Sequence, residues 1–133
     1  MRRILLVSAA AVLLTAAPGA ASSTIRMEIV HYFRGCHVWS RASVVGPSAR
    51  VTTPHGARLT IRISCPMDFD LSQTAGPPLN LGSRRLYAGT TTAIVFKRRG
   101  VYKLIAKNVK SSVEAGLQTL GDDNLLSLTV RVT

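Results

Sequence analysis

Apolar and polar residues alternate with a period of two along most of this chain. The cleanest run is Arg58-Leu-Thr-Ile-Arg-Ile-Ser64, where Leu59, Ile61 and Ile63 fall on one face and Arg58, Thr60 and Arg62 on the other. Successive side chains of a strand point to opposite faces, so this pattern predicts a strand with one buried side. Leu126, Leu128, Val130 and Val132 repeat it near the end of the chain, and Thr24 to Phe33 carries it on Ile25, Met27, Ile29, His31 and Phe33. Thr91 to Ile105 reads as strand, tight hairpin turn at Lys97-Arg-Arg-Gly100, and strand. Gly46-Pro47, Pro54-His-Gly56, Gly76-Pro-Pro78 and Arg99-Gly100 interrupt the runs where turns belong. Only Ser111 to Leu120 lacks the pattern. Val113, Leu117 and Leu120 have helical spacing there, which predicts a short helical turn before the last strand. Many short alternating strands without repeats imply an all-β, two-sheet sandwich with Greek-key connections. One-sided alternation argues against a parallel α/β sheet, whose strands are apolar on both faces.

The first residues have a different character. Arg2 and Arg3 precede an apolar stretch from Ile4 to Leu14, too short to span a bilayer, and Gly19 and Ala21 are small. That is the layout of a secretory signal peptide, with cleavage expected after Ala21. The consensus for twin-arginine export is absent around the Arg pair, so a Sec-type route is expected. No Cys follows the apolar stretch to accept a lipid, and no other run is long and apolar enough to anchor the mature chain. Residues 22–133 then form a single domain, large enough to bury about two-thirds of its unfolded surface. Export makes the protein secreted or extracytoplasmic.

Charge narrows the choice of partners. The formal charge is +11, and losing the two leader arginines leaves +9. Such a balance favours anionic surfaces, here envelope polymers or lipids. Nucleic acid is an unsuitable partner for an exported chain, and Trp39, Tyr87 and Tyr102 are too scattered for a base-stacking platform. Arg84, Arg85, Lys97, Arg98 and Arg99 adjoin turns and are the anion-binding candidates; Lys103, Lys107 and Lys110 add further charge. The plainer reading of these residues is solvated Arg-rich surface.

Two cysteines, Cys36 and Cys65, remain for chemistry. In an oxidising compartment they pair most simply as one disulfide, closing a loop whose chain entropy is worth about 3–4 kcal/mol. Two buried thiols, or one thiol used as a metal ligand, are the competing readings. The metal case rests on His31, Cys36, His37 and Met67, imidazole and sulfur donors suited to copper or zinc. Against it, adjacent residues of a regular strand face opposite ways. His31 also shares a face with Ile29, as a hydrogen-bonded core histidine would, and Met67 reads as core. Asp68 and Asp70 share a strand face and read as solvated or salt-bridged carboxylates. Asp122-Asp-Asn124 reads as a turn. No G-x-S-x-G elbow or phosphate-cradling glycine loop is present, which leaves a secreted hydrolase as the weakest option.

Several segments, in order, resemble exported bacterial cupredoxin-like proteins. They are Gly35-Cys-His-Val-Trp-Ser40, Ser72-Gln-Thr-Ala-Gly-Pro77, the Gly100-Val-Tyr-Lys-Leu104 strand start, and Gly121-Asp-Asp-Asn124 before the last strand. The resemblance implies a cupredoxin-like Greek-key sandwich. A blue-copper loop in that fold needs a Cys thiolate, a His and usually a Met. Ala106 to Gly121 contains none of the three, and Ser64 to Asp70 lacks the His that relatives carry before Q-T-A-G-P. The expected protein is therefore an exported, non-enzymatic cupredoxin-like module of the cell envelope, with no cofactor. A copper- or zinc-handling protein using Cys36 and His37 is the alternative.

Overall fold

The computed structural model describes residues 23–32, 38–42, 44–81, 84–109 and 125–133. The leader, Cys36, His37 and the expected helical turn at 111–120 lie outside the described residues.

Among the described residues ten strands follow one another: β1 (Thr24–Val30), β2 (Val38–Arg41), β3 (Val44–Gly46), β4 (Ser48–Thr53), β5 (Arg58–Ile63), β6 (Asp68–Ala75), β7 (Arg84–Leu86), β8 (Thr91–Val95), β9 (Gly100–Val109) and β10 (Leu125–Val132). They form two five-stranded sheets, ordered β3-β2-β1-β5-β8 and β4-β10-β9-β6-β7. Each sheet is mixed. β1 runs parallel to β5 and β4 parallel to β10, and the other pairings are antiparallel. The all-β sandwich expected from the alternation is what the chain builds.

The alternation is also the burial pattern. In β4, β5 and β10 every second residue is buried and its neighbours are exposed or half-exposed. Ile25, Met27, Ile29, Leu59, Ile61 and Ile63 of the first sheet meet Phe69, Leu71, Leu104, Leu128 and Val130 of the second in one core. Burying such a side chain fully is worth about 1.5–3 kcal/mol over leaving it in water. Trp39 is completely buried, and its indole Nε1 has no hydrogen-bond partner among the described residues, so packing holds the ring.

One expectation fails. β8 and β9 are not a hairpin: β8 pairs with β5 in the first sheet, β9 with β10 and β6 in the second. Residues 96–99 carry the chain across the sandwich. Phe96 turns inward there, and its ring meets that of Tyr102 edge-on at 4.9 Å between centroids. The Tyr102 hydroxyl donates to Arg98 O at 2.6 Å, four residues back, which is a tyrosine corner as Greek-key sandwiches use it. Alternation marks which face of a strand is buried but not which sheet it joins, so the crossing was not visible locally.

The two open sides of the sandwich are closed differently. Gly46-Pro47 passes the chain directly from β3, an edge of the first sheet, to β4, an edge of the second. On the opposite side Arg84 Nη1, from edge strand β7, donates to Ala93 O of edge strand β8 at 3.4 Å. Capped edges of this kind discourage pairing with other chains.

The Gln-Thr-Ala-Gly-Pro segment holds the corner from outside. Gln73 Nε2 donates to Ala75 O and Pro77 O at 3.0 and 2.8 Å, and its Oε1 accepts from Leu79 N at 3.0 Å. Gly76, at φ 102°, lies against the backbone of β9; a Cβ there would sit 2.9 Å from Tyr102 Cα and closer still to Val101 O. The motif is a structural clasp. Gly76→Ala should therefore cost more than about 1 kcal/mol, through strain and backbone collision together. Gln73→Ala should cost about 1–3 kcal/mol, because it strands polar groups of the loop. Denaturant unfolding of both variants checks this; midpoints equal to the parent's would mean the clasp is not needed.

Candidate functional site

Two of the four metal candidates, His31 and Met67, fall at one end of the sandwich. Val30 closes β1 and pairs with Val38, Asp68 opens β6 and pairs with Val109, and Leu125 opens β10. Beside them lie His31, Cys65 and Met67.

Their environments differ from those of a ligand cluster. His31 is exposed just past the end of β1, which corrects the reading of it as a core histidine: the strand stops at Val30, so its inward alternation ends one residue too early. Met67 is buried in the main core, and its Sδ receives a hydrogen bond from Asn108 Nδ2 at 3.3 Å. The same amide donates to Asp68 O at 3.4 Å. Met67 is thus a packed side chain with its sulfur already in contact with a donor. No group of three or more His, Cys, Asp or Glu is assembled among the described residues. The donors described here do not fit a copper or zinc centre; Cys36 and His37 lie outside the described residues.

The two β6 carboxylates have separate fates. Asp68 is fully buried rather than solvated, and its Oδ1 accepts the N–H of Ala88 at 2.8 Å, which ties the β7–β8 connection to β6. Asp70, two residues along, pairs in register with Arg85 of β7. Arg85 Nε and Nη2 both reach its carboxylate, the second at 3.3 Å, in a fork-to-fork ion pair. That hydrogen bond raises the Arg85 guanidinium above its ordinary pKa. Neither role was legible from Asp-x-Asp alone, because each depends on a cross-strand neighbour.

The five anion candidates do not form one footprint. Arg84 and Arg85 are consecutive on β7 and so point to opposite faces. Arg84 reaches across to β8, while Arg85 lies on the outer face with Asp70. Lys97 and Arg98 do come together. They line a cleft of about 430 Å³ with Pro78, Leu79, Val95 and Tyr102. Arg99 is exposed on the same crossing. The cleft mixes cations with apolar walls and has no carboxylate or imidazole among those residues, so it can hold an anion but carries no acid–base pair.

No protein-family model and no curated protein matches the chain. Solved structures do resemble it. A novel purple cupredoxin from Nitrosopumilus maritimus aligns over 82% of this chain and 99% of its own, at 16% identity and a TM-score of 0.43. The copper nitrite reductase from Nitrosomonas europaea aligns over 84% of this chain at 13% identity and a TM-score of 0.47, and only 41% of the reductase is covered. A reduced amicyanin variant aligns over 85% and 83% of the two chains, at 12% identity and a TM-score of 0.37. The copper named for the reductase is that protein's own.

If Met67 is core, Met67→Leu should cost less than about 1.5 kcal/mol, as volume-conserving swaps do. Asn108→Ala, which removes a buried hydrogen-bonding amide, should cost about 1–3 kcal/mol. Equilibrium unfolding measures both. The reverse order would show that the sulfur, not the amide, is the demanding group.

Proposed function

We propose that this protein is an exported, non-enzymatic cupredoxin-like β-sandwich that lacks a blue-copper ligand set and serves as a binding or structural module of the cell envelope. The observation that carries this reading is the connection between β9 and β10. Those two strands are paired neighbours in the second sheet, and the residues joining them, 110–124, contain no Cys, His or Met. Without a thiolate and imidazole there, the joining segment offers only an ammonium, carboxylate, amide and hydroxyl groups as polar side chains, which do not build a blue-copper site. The buried, hydrogen-bonded Met67 and the exposed His31 point the same way. No helix among the described residues is long and apolar enough to cross a membrane. Export itself rests on the leader-like residues 1–21.

The same reading gives the cysteines a structural role. Ser64 N donates to Ile29 O at 2.9 Å, which sets the buried Cys65 beside the end of β1, the strand that leads toward Cys36. A Cys36–Cys65 disulfide would tie this end of the sandwich together. The copper- and zinc-handling alternative needs Cys36 as a thiolate instead.

Two measurements decide between them. Mass spectrometry of the unreduced protein is expected to give a Cys36–Cys65 linked peptide, two protons lighter than the reduced pair. Cu(II) added to reduced protein is expected to produce no intense thiolate-to-copper charge-transfer band in the visible. An intense band, with no linked peptide, overturns the proposal in favour of metal handling.

A further inference from the structure

The outer face of the second sheet carries cations that belong to neither turn cluster. Register places Arg50 of β4, Thr129 of β10 and Lys103 of β9 in one cross-strand row, with Thr52, Arg131 and Val101 in the next. All six point away from the core, since the buried residues of these strands are Val51, Val130, Tyr102 and their alternates. Together they line a concavity of about 370 Å³. Arg50 and Lys103 flank Thr129, so their Cα atoms stand two strand spacings apart, about 10 Å, with Arg131 between them one row on.

Among the described residues, no acid side chain interrupts this triad. Of the described carboxylates, Asp68 is buried, Asp70 is paired with Arg85 further along the same face, and Glu28 lies on the other sheet. There Glu28 sits in register between Ser40 and Arg62 and accepts from Ser64 Oγ at 3.1 Å, which breaks up the first sheet's positive face. Among the described residues, Arg50, Lys103 and Arg131 enter no ion pair. Three like charges held on adjacent strands repel one another, and a bound anion relieves that repulsion.

The neighbours of the triad indicate the kind of anion. Thr52 and Thr129 bring hydroxyls into the same concavity, whose apolar lining is the exposed Val101 and the buried Val51. An acyl-chain surface would need exposed apolar anchors, and single-stranded nucleic acid would need aromatic faces for its bases. The concavity offers neither: Val101 is its single exposed apolar side chain, no aromatic lines it, and the exposed Leu125 and Tyr87 are not among its lining residues. Cations set apart with hydroxyls between them suit a chain whose phosphates alternate with hydroxylated carbons.

We infer that Arg50, Lys103 and Arg131, with Thr52 and Thr129, form a binding site for a phosphodiester-linked polyol chain. The inference rests on the envelope-module reading only for where such a polymer would be met; its own evidence is the charged and hydroxylated face. It differs from the corner cleft in position and in lining.

The test uses the protein as recovered from expressing cells and a synthetic glycerol-phosphate oligomer as probe. Binding is measured by calorimetry at low and at moderate salt. The triple variant Arg50→Gln, Lys103→Gln, Arg131→Gln should lose at least tenfold in affinity, and its salt dependence should flatten, because fewer counterions are released. Lys97→Gln, Arg98→Gln, Arg99→Gln removes the same charge from the crossing and should lose less than threefold. Thr52→Val with Thr129→Val should weaken the glycerol-phosphate oligomer but leave inorganic polyphosphate unchanged. Equal losses in the two triple variants would show that net charge alone governs binding and overturn the site. An unaffected double Thr variant, or tighter binding to phosphatidylglycerol vesicles or to an oligodeoxynucleotide of matched charge, would overturn the polyol assignment. None of these results touches the copper and disulfide measurements, so the two readings fail separately.

Discussion

The crossing at residues 96–102 is the contact on which the rest of the sandwich depends. Phe96 follows β8 with its ring in the core, Tyr102 stands near the start of β9 with its ring against Phe96, and the Tyr102 hydroxyl donates to Arg98 O. The Phe96 backbone also exchanges hydrogen bonds with the Pro54–Ala57 turn, donating to Ala57 O and accepting from Gly56 N. A single corner thus binds the end of β8 to the start of β5 and launches β9 into the other sheet. β9 is in turn the strand on which β10 and β6 assemble.

From that corner the polar architecture follows. Gly76 must lie against β9 because the Gln73 clasp pulls the 75–79 loop onto it, and no side chain fits in the gap. β6 then runs beside β9 in a register that sets Asp68 opposite Val109 and Asp70 opposite Lys107. One carboxylate becomes a buried acceptor and the other an ion-pair partner. Exposed pairs like Asp70–Arg85 contribute at most about 1 kcal/mol, so its larger effect is to remove an anion and a cation together from that face. What remains is a face with excess positive charge at Arg50, Lys103 and Arg131.

This division also explains why a metal centre is hard to place. Core positions near the sandwich end go to Met67 and Cys65, which belong to the same buried cluster as Phe69 and Leu86, and the polar group that meets the Met67 sulfur is an amide rather than an imidazole. The one described histidine nearby, His31, faces solvent.

The chain's alternation by itself determined the all-β class, which residues line the core, and most turn positions, because a strand buried on one face must repeat every second residue. Leu59, Ile61, Ile63 and the even residues from Leu126 to Val132 were legible in this way. Composition likewise showed that residues 106–121 contain no Cys, His or Met. Only the tertiary structure decided that β8 and β9 part into different sheets, that Gln73 clasps its loop, and that Asp68 is buried. Only register brought Arg50, Lys103 and Arg131 together from strands far apart in sequence. The physical reason is that side-chain period is local, whereas strand partnership is set by which edges are free when the two apolar faces close on each other.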